Sequence, residues 1–109
     1  MAWFRRRRGS GGSATGRGRA DLQAGIGHLE EFVRSRQGVE AYVEPRTSVT
    51  ETTVLLIAYD GEWTRRRVAG PEDAFAFGQR LNIPVYEVNK VGYPQRMRDY
   101  NERQKRAQR

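Results

Sequence analysis

Two β-rich runs separated by a glycine turn constrain this chain more than any other feature. Thr52-Thr53-Val54-Leu55-Leu56-Ile57-Ala58-Tyr59 leads into Asp60-Gly61, and Glu62-Trp63-Thr64-Arg65-Arg66-Arg67-Val68 follows. Branched and aromatic side chains suit the pleated surface of a strand, and an Asp-Gly pair between two such runs specifies a tight hairpin. A two-residue type I′ turn on Asp60-Gly61 sets Ala58 opposite Trp63, Leu56 opposite Arg65 and Val54 opposite Arg67 on one side of the ribbon. Ile57 with Thr64, Leu55 with Arg66 and Thr53 with Val68 then fall on the other side. A hairpin alone is marginal in water, so the flanking segments must cover it.

Those segments carry their own signals. Leu22, Ile26, Leu29, Phe32 and Val33 recur at three- and four-residue spacing behind Asp21, a suitable N-cap, and ahead of Gly38, which predicts a helix from about 21 to 37. Gly25 and Gly27 each cost about 1 kcal/mol in a helix interior, so either the first turn frays or a neighbouring backbone packs closely there. Val39, Ala41 and Val43 alternate with Glu40, Tyr42 and Glu44 as far as Pro45, the pattern of a half-buried strand. After the hairpin, Gly70-Pro71-Glu72-Asp73 opens a second helix with proline at its first position and two acids at the positive end of its dipole. Asn82 and Pro84 end that helix, and Ile83 to Val88 reads as a fourth strand. A last helix from near Pro94 to about Lys105 docks Tyr93, Met97 and Tyr100, projects Arg96, Arg103 and Arg106, and is helped by Asp99–Arg103 and Glu102–Arg106 pairs.

The order α-β-β-β-α-β-α predicts a single small α+β domain, with a mixed or antiparallel sheet and helices on one face. Three segments follow: a flexible Arg/Gly-rich arm at 1–20, the α+β body at 21–93, and a basic C-terminal helix and tail at 94–109. If the helices cover the Leu55/Ile57 side, Trp63, Arg65 and Arg67 form a stripe on the open face of the sheet.

Charge divides the chain in the same places. Residues 1–19 hold six arginines and no acid, residues 90–109 hold seven basic and two acidic side chains, and the stretch between them is net acidic within a total of +7. Basic ends on an acidic body are the footprint of a protein that meets polyanions. Arg5, Arg6, Arg7, Arg8, Arg17 and Arg19 in the arm, Trp63, Arg65 and Arg67 on the stripe, and Arg96, Arg103 and Arg106 in the last helix are the candidate nucleic-acid-binding residues. Guanidinium groups hold phosphates, and an indole stacks on an unpaired base. Trp3 and Phe4 ahead of the arginines also suit peripheral contact with anionic lipid.

Several classes of function are set aside. The chain has no cysteine, which removes disulfides, thiolate metal sites and cysteine nucleophiles, and its single histidine, His28, has no ligating neighbours in sequence, so no metal is expected. The glycines from Gly9 to Gly18 lack the Gly-Lys-Ser/Thr ending of a phosphate loop, and there is no dinucleotide fingerprint, so neither catalysis nor a flavin or nicotinamide cofactor is expected. The arginines after Phe4 are followed by glycine and serine rather than an apolar stretch, which predicts a cytoplasmic protein without a secretory leader.

Two resemblances bear on the chain. The helix–three strands–helix order is also that of the double-stranded RNA-binding domain, whose second helix opens on lysines that grip phosphate; here the corresponding Gly70-Pro71-Glu72-Asp73 is acidic and repels a phosphate backbone. Val39-Glu40-Ala41-Tyr42-Val43-Glu44-Pro45-Arg46, Ile83 to Val88, and Gly92-Tyr93-Pro94-Gln95-Arg96-Met97-Arg98-Asp99-Tyr100-Asn101 resemble a family of small actinobacterial proteins with no assigned activity. That resemblance implies a shared fold and source and no particular chemistry. The expectation from sequence is a non-catalytic RNA-binding or ribosome-associated protein acting through its basic ends. The alternative is an accessory subunit whose acidic body binds a protein partner while the arm contacts membrane or nucleic acid non-specifically.

Overall fold

A computed structural model describes residues 10–108, and Arg5 to Arg8, with Trp3 and Phe4, lie outside the described residues. The elements are α1 (Ser10–Ser35), β1 (Glu40–Glu44), β2 (Thr53–Ile57), β3 (Trp63–Arg67), α2 (Pro71–Leu81), β4 (Val85–Glu87), the single turn α3 (Val88–Val91) and α4 (Gln95–Ala107). The fold is α+β in the predicted order, with a four-stranded mixed sheet ordered β3-β2-β1-β4. β1–β2 and β2–β3 are antiparallel, whereas β4 returns through α2 to lie parallel beside β1.

The two central strands explain their own sequences. β1 and β2 have neighbours on both sides and side chains buried on both faces, and Val54, Leu55, Leu56 and Ile57 are all fully buried. One face meets α1 and α2: Leu29 and Phe32 of α1 and Phe77 of α2 close over Ala41, Val43, Val54 and Leu56. The other face meets α4, where Met97 packs on Tyr42, Leu55 and Ile57. Area removed from water on both faces stabilises the sheet at roughly 25 cal/mol per Å² of apolar surface, which suits a continuous apolar run better than alternation.

The helix ends follow the sequence in part. α2 begins at Pro71 with Glu72 and Asp73 in its first turn and ends at Asn82, whose φ of 59° is the left-handed cap conformation. Gly38, with φ of +63°, lies three residues beyond the end of α1. At Gly25 an added Cβ would meet the Cβ of Arg66 at 3.4 Å and the Arg67 carbonyl oxygen at 3.7 Å, ordinary contact distances, and at Gly27 it would meet nothing, so close backbone packing explains neither glycine. α1 itself starts at Ser10 rather than near Asp21, so the second half of the segment read as an arm is helical. Once a helix is nucleated, each further residue adds one hydrogen bond, so an amphipathic segment can extend into a stretch without periodicity. The last part of the predicted fourth strand turns instead into α3, with Val88 as its first residue.

The hairpin differs from its prediction by one residue. The loop is Tyr59-Asp60-Gly61, closed by the Ala58 N–H donating to the Glu62 carbonyl at 2.8 Å and the Gly61 N–H donating to the Ala58 carbonyl at 2.9 Å. A type I′ turn needs positive φ at both Asp60 and Gly61, and only Gly61 has it, at +95°. The Asp60 carboxylate accepts the Glu62 N–H at 3.0 Å and stabilises the longer loop. Leu55 therefore faces Arg65 and Ile57 faces Trp63, and the stripe shares its side with Leu55 and Ile57.

Candidate nucleic-acid interface

The corrected register places Trp63, Arg65 and Arg67 on the face that α4 crosses. Trp63 is half-buried, and its indole Nε1–H donates to Asn101 Oδ1 of α4 at 2.8 Å. Arg65 makes a two-pronged contact with Glu44 of β1, Nε to Oε1 at 2.6 Å and an Nη to Oε2 at 2.8 Å, and Arg67 reaches Glu51 at 3.3 Å. The expected open platform is thus engaged within the domain, because a one-residue change of register moves a whole stripe to the other face.

Glu44 is the hub of this face. Its carboxylate accepts from Arg65, from Thr53 Oγ1 at 2.6 Å and from the Tyr93 hydroxyl at 2.5 Å. Burial works to raise the Glu44 carboxyl, but the hydrogen bonds from Arg65, Thr53 and Tyr93 outweigh it and hold the group below the usual carboxylate range. The same bonds push Arg65 up, and the contact with Glu44, aided by burial, raises Tyr93. A carboxylate with a depressed folded pKa contributes stability above its unfolded pKa and loses it as pH falls through the folded one. Glu44→Gln should therefore cost about 1–3 kcal/mol at pH 7. That deficit should shrink as pH drops below the ordinary carboxylate range, read as converging urea midpoints. A deficit constant from pH 7 to pH 3 would remove the linkage to this carboxylate.

The C-terminal helix uses two of its predicted arginines as fasteners. Arg96 Nε donates to the Ala58 carbonyl at 3.0 Å, and one Nη donates to Glu40 Oε1 at 2.7 Å and to the Ile57 carbonyl at 3.3 Å. Arg103 donates to the Asp60 carbonyl at 2.7 Å, and its guanidinium lies over the Tyr100 ring. Arg106 is exposed. In α1, Arg17 belongs to the helix and Arg19 is exposed near Glu51 and Arg67, at the far end of β3 from the hairpin loop. The structure therefore separates the basic groups: Arg19 marks one end of the sheet, and Arg103 and Arg106 lie toward the other.

The paired arginines concentrate in the body. Arg36 pairs with Glu62, Arg65 with Glu44, Arg67 with Glu51, Arg80 with Glu30 and Arg96 with Glu40. Among the described residues, Arg46 and Arg66 of the body, Arg19 at one end and Arg98, Arg103, Lys105 and Arg106 of α4 pair with no acidic side chain, so the Asp99–Arg103 and Glu102–Arg106 pairs expected from sequence are not formed. His28 bonds Thr64 Oγ1 at 2.7 Å; burial, then the charges of Arg66 and Arg36, lower its pKa and favour the neutral ring. No group of three or more His, Cys, Asp or Glu among the described residues converges as a metal site. No helix among them is long and apolar enough to cross a membrane.

Of the exposed large side chains absent from the sequence-based candidates, Tyr59 is the most exposed aromatic among the described residues. Tyr59, at the tip of the hairpin, is 69% exposed. Its position as a large aromatic beside Asp60-Gly61 was the available signal, since a turn tip offers a ring little to pack against. Between α1 and α2 there is also a cleft of about 310 Å³, walled by Leu22, Ile26, Ala76 and Phe77 with Val68 among its lining residues. No protein-family model, no curated protein and no solved structure matches this chain.

Proposed function

We propose that this protein is a non-catalytic, cytoplasmic RNA-binding or ribosome-associated module that grips RNA through its basic ends. The observation that carries the reading is the distribution of charge pairing. Most arginines of the body are bonded to acids of the body, Arg46 and Arg66 excepted, and Arg96 of α4 is bonded to Glu40, while Arg19 and the remaining α4 cations Arg98, Arg103, Lys105 and Arg106 meet no acidic side chain among the described residues. An acid-paired guanidinium gives up an existing partner to bind phosphate, whereas an unpaired one binds at the gain of counterion release. Residues 1–9 of the sequence hold four further arginines, Arg5 to Arg8, and no acid.

Between the two ends runs β3, an edge strand carrying Arg65, Arg66 and Arg67. Charged side chains on an edge also keep it from pairing with another chain, a role these arginines serve whatever is bound. RNA spanning both ends would follow this edge for about 17 Å, the length of a five-residue strand.

Sedimentation of the full chain in host lysate, with and without ribonuclease, tests the reading. Migration with ribosomal particles that collapses after ribonuclease is the expected outcome, and a ribonuclease-resistant complex overturns it. The second reading, an accessory subunit for a protein partner, is favoured by the apolar cleft between α1 and α2, and a ribonuclease-resistant complex would support it.

A further inference from the structure

We infer that Tyr59 is a base-stacking residue, and that the RNA at the hairpin end of the domain is single-stranded. The inference rests on the RNA-binding reading and names the form of RNA and the residue that selects it.

Tyr59 is exposed on a backbone that holds it still. Its N–H donates to the Gln37 carbonyl at 3.0 Å, which ties the hairpin tip to the segment after α1. Gly38 permits that approach, because a Cβ at residue 38 would lie 2.9 Å from the Cβ of Tyr59, and its φ of +63° also favours glycine. On the other side of the tip, an added Cβ on Gly61 would overlap the Arg96 carbonyl oxygen of α4. Both flanks of the loop are thus packed against neighbouring elements, yet the ring between them remains 69% exposed. An aromatic ring with a fixed backbone loses little conformational freedom when a base stacks on it.

The other aromatics beside the hairpin are engaged within the domain. Trp63 is bonded to Asn101, and Tyr100 lies against Gly61 with the Arg103 guanidinium over its ring. Tyr59 makes no side-chain hydrogen bond among the described residues and therefore has its face and hydroxyl available. One cation reaches the loop itself, Arg103 bonded to the carbonyl of the adjacent Asp60, and Lys105 and Arg106 follow it in the exposed last turn of α4. A protruding aromatic ring in the same part of a domain as unpaired cations suits a single strand, the ring taking a base and the cations the phosphates. In a duplex the base faces are already stacked on each other, so a tyrosine at a protruding tip gains nothing from them.

The test uses the full chain and two fluorescein-labelled RNAs of matched length, an unstructured single strand and a hairpin duplex. Tyr59→Ala should weaken single-strand binding by roughly five- to twentyfold, with the salt slope unchanged because no phosphate contact is lost. It should leave duplex binding as it was, and Tyr59→Phe should restore the single-strand affinity. Unchanged single-strand affinity in Tyr59→Ala, or an equal loss on both RNAs, would overturn the stacking role while leaving RNA binding intact. Failure of the unmodified chain to bind either RNA at low salt would overturn the stacking role and the RNA-binding reading together.

Discussion

Gly61→Val should strip α4 from the sheet and destabilise the domain by about 3–5 kcal/mol, a large share of the roughly 5–15 kcal/mol that holds a small domain folded. Two separate costs combine. Gly61 has φ of +95°, where a β-branched residue is strained by about 1–3 kcal/mol. The new Cβ would also overlap the Arg96 carbonyl oxygen and come within 2.8 Å of the Tyr100 Cβ. Both atoms sit on rigid parts of α4, so the helix must move. Movement unseats Met97, now 8% exposed among Tyr42, Leu55 and Ile57, and removes the Arg96 donors from the Ile57 and Ala58 carbonyls. A urea titration measures the total. Trp63 reports the helix itself, since losing Asn101 should shift its emission to the red in a Trp3→Phe background where it is the remaining tryptophan. Gly61→Asn separates the two costs, because asparagine tolerates the left-handed region and still carries a Cβ. It should release α4 as well; a Gly61→Asn protein with unmoved Trp63 emission would show that backbone strain, and not the contact with α4, explains the glycine.

That contact also explains which parts of the fold were legible in the sequence. The hairpin was legible because Asp60-Gly61 lies between β-rich runs, but its register was not. β2 is buried on both faces, so Val54-Leu55-Leu56-Ile57 offers no alternation to say which side chain faces which way. The decision between a two- and a three-residue loop rests on the Asp60 carboxylate and on Arg96 and Tyr100, more than thirty residues further along the chain. α2 could be read to within a residue because Pro71 and Asn82 are local signals, whereas the start of α1 depends on propagation through a glycine-rich stretch with no apolar period. The basic candidates were legible as charges. Their pairing was not, because Glu40, Glu44 and Glu62 meet Arg96, Arg65 and Arg36 only after the sheet has formed. Charge counted along the sequence therefore overstated how freely the stripe on β3, and Arg96 in α4, could bind a phosphate.

Gly78 sets the spacing between α2 and the sheet, and Gly78→Ala should destabilise the protein by about 2 kcal/mol. The residue is buried inside α2, where alanine would ordinarily be favoured by about 1 kcal/mol. Here the added Cβ would overlap Cγ2 of Val85 on β4 and lie 3.2 Å from the Ile83 carbonyl oxygen. Val85 is β-branched and cannot swing aside, and the Ile83 carbonyl belongs to the turn between α2 and β4, bonded nearby through the Ile83 N–H to the Gly78 carbonyl at 2.9 Å. Overpacking of about 3 kcal/mol thus outweighs the helix preference. If the Val85 methyl is the obstacle, truncating it removes most of the penalty, and Gly78→Ala made in a Val85→Ala protein should cost less than about 0.5 kcal/mol. The double-mutant cycle would then show a coupling near 1.5–2 kcal/mol, large for two residues with no polar contact. An additive cycle would place the penalty on the Ile83 carbonyl instead, and α2 would be held at its distance from the sheet by the backbone of the turn rather than by the side chain beneath it.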